Sequence, residues 1–506
     1  MKTIEKITIL IIFVLCTLLA YSQNTFEIVL DELGQSEIRA SIETSDNNFI
    51  LAVYPLNTSA KNDYMVKLSS QGKIIGSFEH NVDNGFVKFF GLFKHPANDD
   101  IFVAPALIYD GQTATEVAII SFDKDLQLVD DKRSNFSDMV QDLAPFAIPS
   151  AIIYDNEIAI TAHVVLETGG YGHLYTRINL GGERLAAQID ASYNKPVSFT
   201  TSISFINRDE KRFAVLNMNT DDAGFKSIYI DAMDSTMFVD NSVKIEYVNN
   251  DTTQHISFIP QDTPVMKLLN DTTLIADLAV RKFTMWGNMY HGNCLLQMNQ
   301  YLDIRKMTFY FYDNPDIAVK LPLRNSFDIK DDHIISCAIT NLHSYHPSYK
   351  TRCVVIKYDS AMNVIWERFV NQEEGYYYPI WVTATEDGGC LLSGYSCDES
   401  YLNKYSYVLK TDADGYLDVN ENSIVDVEPF CCYPNPAKDN LYIEFSPDVD
   451  CKSVELYDIN GRLVVETFQE ASQQITINIS GLNAGMYIVK LRMSDGKEFT
   501  ERIVKE

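Results

Sequence analysis

Basic residues are scarce: 41 Lys and Arg stand against 69 Asp and Glu, a formal net charge of -28 and a pI near 4.6. A field of that sign repels phosphate backbones and anionic bilayers, which argues against nucleic acid and lipid surfaces as partners. No Gly-x-Ser-x-Gly elbow, His-Glu-x-x-His or Cys-x-x-Cys occurs. Their absence argues against a serine-hydrolase elbow, a helical zinc-protease site and a redox or zinc dithiol. Beyond residue 20 no apolar run is long enough to cross a bilayer as a helix, so no transmembrane segment is expected. Helical periodicity is nearly absent as well.

The first 22 residues read as a signal peptide. Lys2 and Lys6 precede the apolar stretch Ile7–Ala20, and Ala20-Tyr21-Ser22 places small residues where a signal peptidase would cut after Ser22. Removing Cys16 from the nine cysteines leaves eight, all in the second half of the chain. An exported protein can oxidise them, and a bridge from Cys431 or Cys432 to Cys451 is one expected pairing.

Between residues 23 and 418, short runs rich in Val, Ile, Phe and Tyr alternate with polar turns. A polar turn followed by an apolar strand recurs around Phe49, Ile101, Ile158, Phe213, Leu274, Ile334 and Cys390, in steps of about 52 to 61 residues. A strand, tight turn and strand follow each copy. Seven units of this length, each of four short strands, predict a seven-bladed β-propeller, because a lone four-stranded blade cannot cover both its faces. The last unit stops at Tyr416-Leu417-Asp418 without an outer strand, whereas Phe26–Leu30 is an outer strand with no unit before it. Pairing the two would close the ring.

Residues 419–430 are polar and acidic and predict a linker. Residues 431–506 carry hairpin signals, including Asn460-Gly461 between alternating strands, and predict a small antiparallel β-sandwich. The expected fold is therefore all-β throughout. This last segment contains Tyr433-PNPAKDNLYIEF, Val454-ELYDINGRLV, Ile479-SGLNAGMYIVKL and Arg502-IVKE. Together they resemble the type A C-terminal sorting domain of the Bacteroidetes type IX secretion system, with Pro434, Asn435, Pro436, Asn460, Gly461, Gly481, Gly485 and Tyr487 in the matching motifs. The resemblance implies engagement of the type IX machinery, passage across the outer membrane, and either surface attachment or release.

Two local patterns are candidate ligand sites. Tyr376, Tyr377, Tyr378 and Trp381 form an aromatic run at the start of the seventh unit, where rings could stack on sugars or grip a peptide. Asp412, Asp414 and Asp418 resemble the opening of a calcium loop, yet Asp414-Gly415 is equally a good hairpin turn and the closing Glu is missing. His343 and His346 are too loosely spaced to define a metal site. No catalytic set and no obligatory cofactor is legible. The expected function is binding of a glycan or protein partner outside the cell. The alternative is a polysaccharide-active hydrolase or lyase with its site at the axial mouth.

Overall fold

The computed structural model describes residues 25–505 except 57–61, 84, 144–148, 192–201, 221–225, 247–253, 259–264, 285–288, 312–318, 321–323, 341–350, 371–375, 399–402, 418–429, 434–436, 446–450, 459–461, 469–473 and 494–497. The signal-peptide and linker readings and the His343/His346 pair thus lie outside the described residues, apart from Phe430. The chain divides into two compact units, residues 1–418 and 419–506. Among the described residues no α-helix forms; one 3-10 turn, Asp31–Leu33, follows the first strand.

The first unit holds seven antiparallel sheets among its described residues. The first sheet is Ser36–Glu43, Phe49–Pro55, Tyr64–Leu68 and Ile74–Glu79. In the first sheet one edge strand is buried and the opposite one is wet. Ser36–Glu43 buries five of its eight residues, whereas Ile74–Glu79 buries none. The recurring positions Phe49, Ile101, Ile158, Phe213, Leu274, Ile334 and Cys390 all fall in the strand that pairs with the edge equivalent to Ser36–Glu43. In the second, third, fifth and sixth sheets this edge is split into two short pieces, as where Gln254–Phe258 and Val265–Asn270 both pair with Thr273–Thr284.

The seventh sheet is assembled from both ends of the unit. Phe26–Val29 pairs antiparallel with Lys404–Thr411, Phe26 opposite Lys410 and Val29 opposite Tyr407. Tyr407 Oη donates to Glu27 Oε1 at 2.9 Å, and Leu30 N donates to Ser406 O at 2.8 Å. Between successive sheets lie apolar clusters. Phe26, Ile38, Phe49, Leu391 and Val408 join the seventh sheet to the first, and Ile335, Val355, Val382 and Leu392 join the sixth to the seventh. Corresponding clusters occupy each gap between. Burial of this kind contributes about 25 cal/mol per Å² of apolar surface, so the gaps are the main source of stability.

One turn is repeated in all seven sheets. Ser69, Asp123, Asn179, Asp234, Asn299, Asp359 and Asp412 each accept backbone N–H groups of the next few residues. Three residues on, Gly72, Leu126, Gly182, Met237, Leu302, Met362 and Gly415 sit at positive φ. A left-handed Leu or Met costs about 1–2 kcal/mol. These side chains are buried, which offsets that cost. The glycines lie where there is no room. A Cβ on Gly72 would meet the Phe26 ring at 2.8 Å, and one on Gly415 the Trp366 ring at 2.8 Å.

The second unit has a three-stranded sheet, Phe430–Tyr433, Asn440–Phe445 and Gln474–Asn478, and a four-stranded one, Cys451–Asp458, Leu463–Phe468, Gly485–Met493 and Glu498–Lys505. Leu441, Ile443, Val454, Leu456, Val489 and Ile503 fill the core between them. The expected cysteine bridges need correction. Cys294, Cys337, Cys353, Cys390, Cys397 and Cys432 are buried and hold no disulfide, which removes Cys432 from any bridge to Cys451. These thiols serve as small apolar core residues; the Cys390 thiol is pushed up to about 11 chiefly by burial.

Candidate functional site

Charged and aromatic side chains from three sheets converge at the buried edge strands. The first contribution comes from Ser36–Glu43, where the register slips between Ile38 and Ala40. Arg39 is the extra residue of that bulge, and bulges re-aim side chains. Its Nε donates to Glu37 Oε1 at 2.8 Å, and its guanidinium carbon lies 3.4 Å from the Tyr54 ring centroid. The seventh sheet has the same slip, between Pro379 and Trp381, with Ile380 as the extra residue.

The second contribution comes from Gly85–Phe89. Strand alternation puts Phe86 and Lys88 on one face. Lys88 Nζ lies 5.4, 5.2 and 5.0 Å from the ring centroids of Tyr54, Phe86 and Tyr109. Phe86 and Tyr109 stack at 4.6 Å with 5° between their planes. Burial, foremost, holds the Lys88 ammonium below its ordinary range, opposed by Asp63. The Tyr109 hydroxyl is pushed up to about 12 by burial and then by Asp142 and Asp63, so it stays protonated.

Asp63 ties these pieces together. Its N donates to Val87 O at 2.9 Å and its Oδ2 accepts Phe89 N at 2.9 Å. Its Oδ1 is buried and has no hydrogen-bond partner among the described residues. Burial raises this carboxyl to about 7, against the pull of Arg39, Arg324 and Lys88. Arg324 precedes the buried edge of the sixth sheet, and its N donates to Ile380 O at 3.1 Å. Its guanidinium is brought down to about 9 by burial and by Arg39. A carboxyl near half-ionised at neutral pH beside three cations is a pattern found at functional sites.

A second group of charges is fully paired. A cleft of about 260 Å³ is lined by Ile42, Glu43, Lys94, Asp328, Lys330 and Thr383, among others. Lys330 pairs with Glu386, and Lys267 with Asp328 at 2.6 Å. Glu43 Oε2 accepts Glu386 N at 2.7 Å. With these donors and acceptors matched, the cleft reads as a cross-sheet brace.

The residues singled out in the sequence are dispersed. Tyr377 packs on Tyr407 at 4.8 Å, while Tyr378 turns to the opposite face and stacks on Tyr395 at 4.9 Å. Trp381 packs against the cluster between the first and second sheets. Tyr376 is half-buried at the strand's start. The four rings therefore form no single platform. Asp412 Oδ1 accepts Asp414 N at 2.9 Å and Tyr416 N at 2.7 Å, the same turn that Ser69 and Asn299 make elsewhere. Asp418 lies outside the described residues, and no group of three metal-ligating side chains occurs among the described ones. In the second unit Tyr487 is buried and its Oη donates to Asn483 O at 2.9 Å; Gly481 and Gly485 flank this contact in the open. Pro434, Asn435, Pro436, Asn460 and Gly461 lie outside the described residues.

Residues 431–506 match the family described as the secretion system C-terminal sorting domain. This segment is a type IX sorting domain. It directs the protein to export through the type IX machinery. Among the described residues no helix is long and apolar enough to cross a membrane. No curated protein matches the chain. Among solved structures it is similar to an α-L-arabinanase of Penicillium chrysogenum complexed with arabinobiose, at 8% identity over 77% of this chain and 98% of that one, TM-score 0.41. It is also similar to the polysaccharide lyase Uly1, at 9% identity over 74% of this chain and 90% of that one, TM-score 0.42. A third is the catalytic domain of a Coprinopsis cinerea GH62 α-L-arabinofuranosidase, at 9% identity over 52% and 89%, TM-score 0.25. At such distances neither activity nor substrate transfers to this chain.

Sequence reasoning passed over Arg39, Asp63, Lys88 and Arg324 because they are far apart in the chain. One signal was available. Charged residues stand between buried neighbours, as Arg39 between Ile38 and Ala40 and Lys88 between Val87 and Phe89. A charge on a buried edge needs a partner or a ligand.

Proposed function

We propose that the first unit is a seven-bladed β-propeller closed by Phe26–Val29, and that it binds a glycan outside the cell at the buried-edge cluster of Arg39, Tyr54, Asp63, Lys88, Tyr109 and Arg324. Signal-peptide removal after Ser22 and type IX passage would deliver it to the cell surface or the medium. The cyclic run of apolar clusters supports the closed ring, since the seventh sheet packs on both the sixth and the first. The carrying observation is the convergence of half-buried cations with three aromatic rings. Such sites hold sugars through ring faces and a few fixed polar groups. Binding of the full chain to a glycan array, against an Arg39→Gln/Lys88→Met double variant, tests this. Selective signals lost in the variant support it; binding that ignores the substitutions refutes it.

A polysaccharide-active hydrolase or lyase is the second reading, favoured by the Asp63 carboxyl, which burial holds near 7 as a general acid requires. New reducing ends or unsaturated products from any bound glycan, abolished by Asp63→Asn, would establish it.

A further inference from the structure

The cluster carries more cationic capacity than its own carboxylates use. Arg39 commits Nε to Glu37. Lys88 is surrounded by three rings and makes no hydrogen bond to a described residue. The Arg324 side chain likewise has no hydrogen-bond acceptor among the described residues, although Arg39, Glu37 and Asp63 all act on it electrostatically. Directly against these three cations stand the carboxyl groups of Glu37 and Asp63, with Asp142 acting on Tyr109 from beyond. With the nearer two ionised, the three cations outnumber the carboxylates acting on them by one, in a chain whose net charge is -28.

We infer that the site takes the carboxylate of an acidic sugar, a hexuronate, between Arg39, Lys88 and Arg324, with the pyranose ring laid against the Tyr54, Phe86 and Tyr109 rings. This rests on reading the cluster as the glycan site. The charge count selects the ligand. One carboxylate neutralises the residual charge, whereas a phosphate dianion would add repulsion from Glu37 and Asp63. Guanidinium groups match a carboxylate in a planar, two-bond geometry. The rings packed around Lys88 and Arg39 keep water from the ion pairs, which strengthens them. Asp63 gives the site a pH response. The charged groups facing it are Arg39, Lys88 and Arg324, with Tyr109 protonated beyond them. As Asp63 loses its proton it adds a negative charge beside the incoming carboxylate, so affinity falls from pH 6 to pH 8.

The test is calorimetric titration of the full chain with trigalacturonate, a glucuronate trisaccharide, monomeric galacturonate, the neutral galactose trisaccharide and inorganic phosphate. At least one uronate trisaccharide is expected to bind at least tenfold more tightly than the neutral one. Arg39→Gln and Lys88→Met should each weaken it tenfold or more with an unchanged melting temperature. The loss of affinity between pH 6 and pH 8 should vanish in Asp63→Asn. Equal affinity for the monomer and trimer points to a free sugar acid, and a strong preference for the trimer to a polysaccharide; either supports the inference. Equal binding of the neutral trisaccharide, or tighter binding of phosphate, overturns the carboxylate assignment and leaves the glycan-site reading intact. A protein that binds none of these sugars and no glycan on an array overturns both. A variant that melts early is replaced by Arg39→Lys, which keeps the charge and removes the fork; wild-type affinity there would also count against the inference.

Discussion

Phe26 offers a direct test of how the two ends of the first unit are joined. Its ring is 9% exposed, meets Phe49 edge-on at 6.1 Å and lies over Gly72. Truncating such a ring, as in Phe26→Ala, costs about 3–5 kcal/mol. Unfolding entropy is about 2.1 cal/mol/K per residue, or about 0.8 kcal/mol/K for a unit of roughly 400 residues, so the melting temperature should fall by about 4–6 °C. Gly72→Ala should also destabilise, because Gly72 has φ +80° and the added Cβ would stand 2.8 Å from the Phe26 ring. The pair is the decisive experiment. If the ring occupies that space, removing it makes room for the alanine methyl, and the double variant should be about 1 kcal/mol more stable than the sum of the singles. Calorimetric melting of wild type, both singles and the double gives the coupling. Additivity within about 0.5 kcal/mol would mean that Phe26 does not sit on Gly72, and that the N-terminal strand does not close the seventh sheet.

Lys410 is almost wholly buried and donates to Asp387 Oδ2 at 2.7 Å and Thr411 O at 2.5 Å. Lys410→Met should therefore cost about 1–2 kcal/mol in urea melts, since the Asp387 carboxylate left behind is partly solvated, with part of the loss restored by adding Asp387→Asn. Asp277 accepts hydrogen bonds from Asn293, Ser326 and Ser336, yet burial raises it to about 6. The folded state thus binds the extra proton between about pH 4 and pH 6, and this contribution to stability, full below the unfolded value, is lost as pH rises through the folded one. The Asp277→Asn variant should show a smaller fall in melting temperature from pH 4 to pH 7 than wild type; an equal fall would refute the assignment. The six buried cysteines that hold no disulfide should resist a thiol reagent in the native protein and react on unfolding, and rapid native labelling of any of them would contradict their placement.

Much of the framework was legible because it is written in local rules. A polar turn followed by a short apolar run located the recurring positions around Phe49 and Cys390, and the strand, tight turn and strand after each copy fell at turns such as Ser69–Gly72 and Asp412–Gly415. The equivalent turns with Leu126, Met237, Leu302 and Met362 lack the glycine, since packing in the gap stabilises their backbone instead. The sorting domain was legible for the same reason: its motifs are contiguous.

The cluster proposed as the binding site was not. Tyr376, Tyr377, Tyr378 and Trp381 are adjacent in sequence, but a strand sends neighbours to opposite faces, and the rings part. Arg39, Asp63, Lys88 and Arg324 have no such adjacency, and a bulge rather than alternation aims Arg39. By itself the sequence determined the strands, the turns, the seven-fold spacing and the export tail, because hydrogen bonding and side-chain alternation act within a few residues. Which charges share a site was decided only when sheets distant in sequence packed edge to edge. Electrostatic energy depends on distance in space and on exclusion of water, and neither is encoded at any single position.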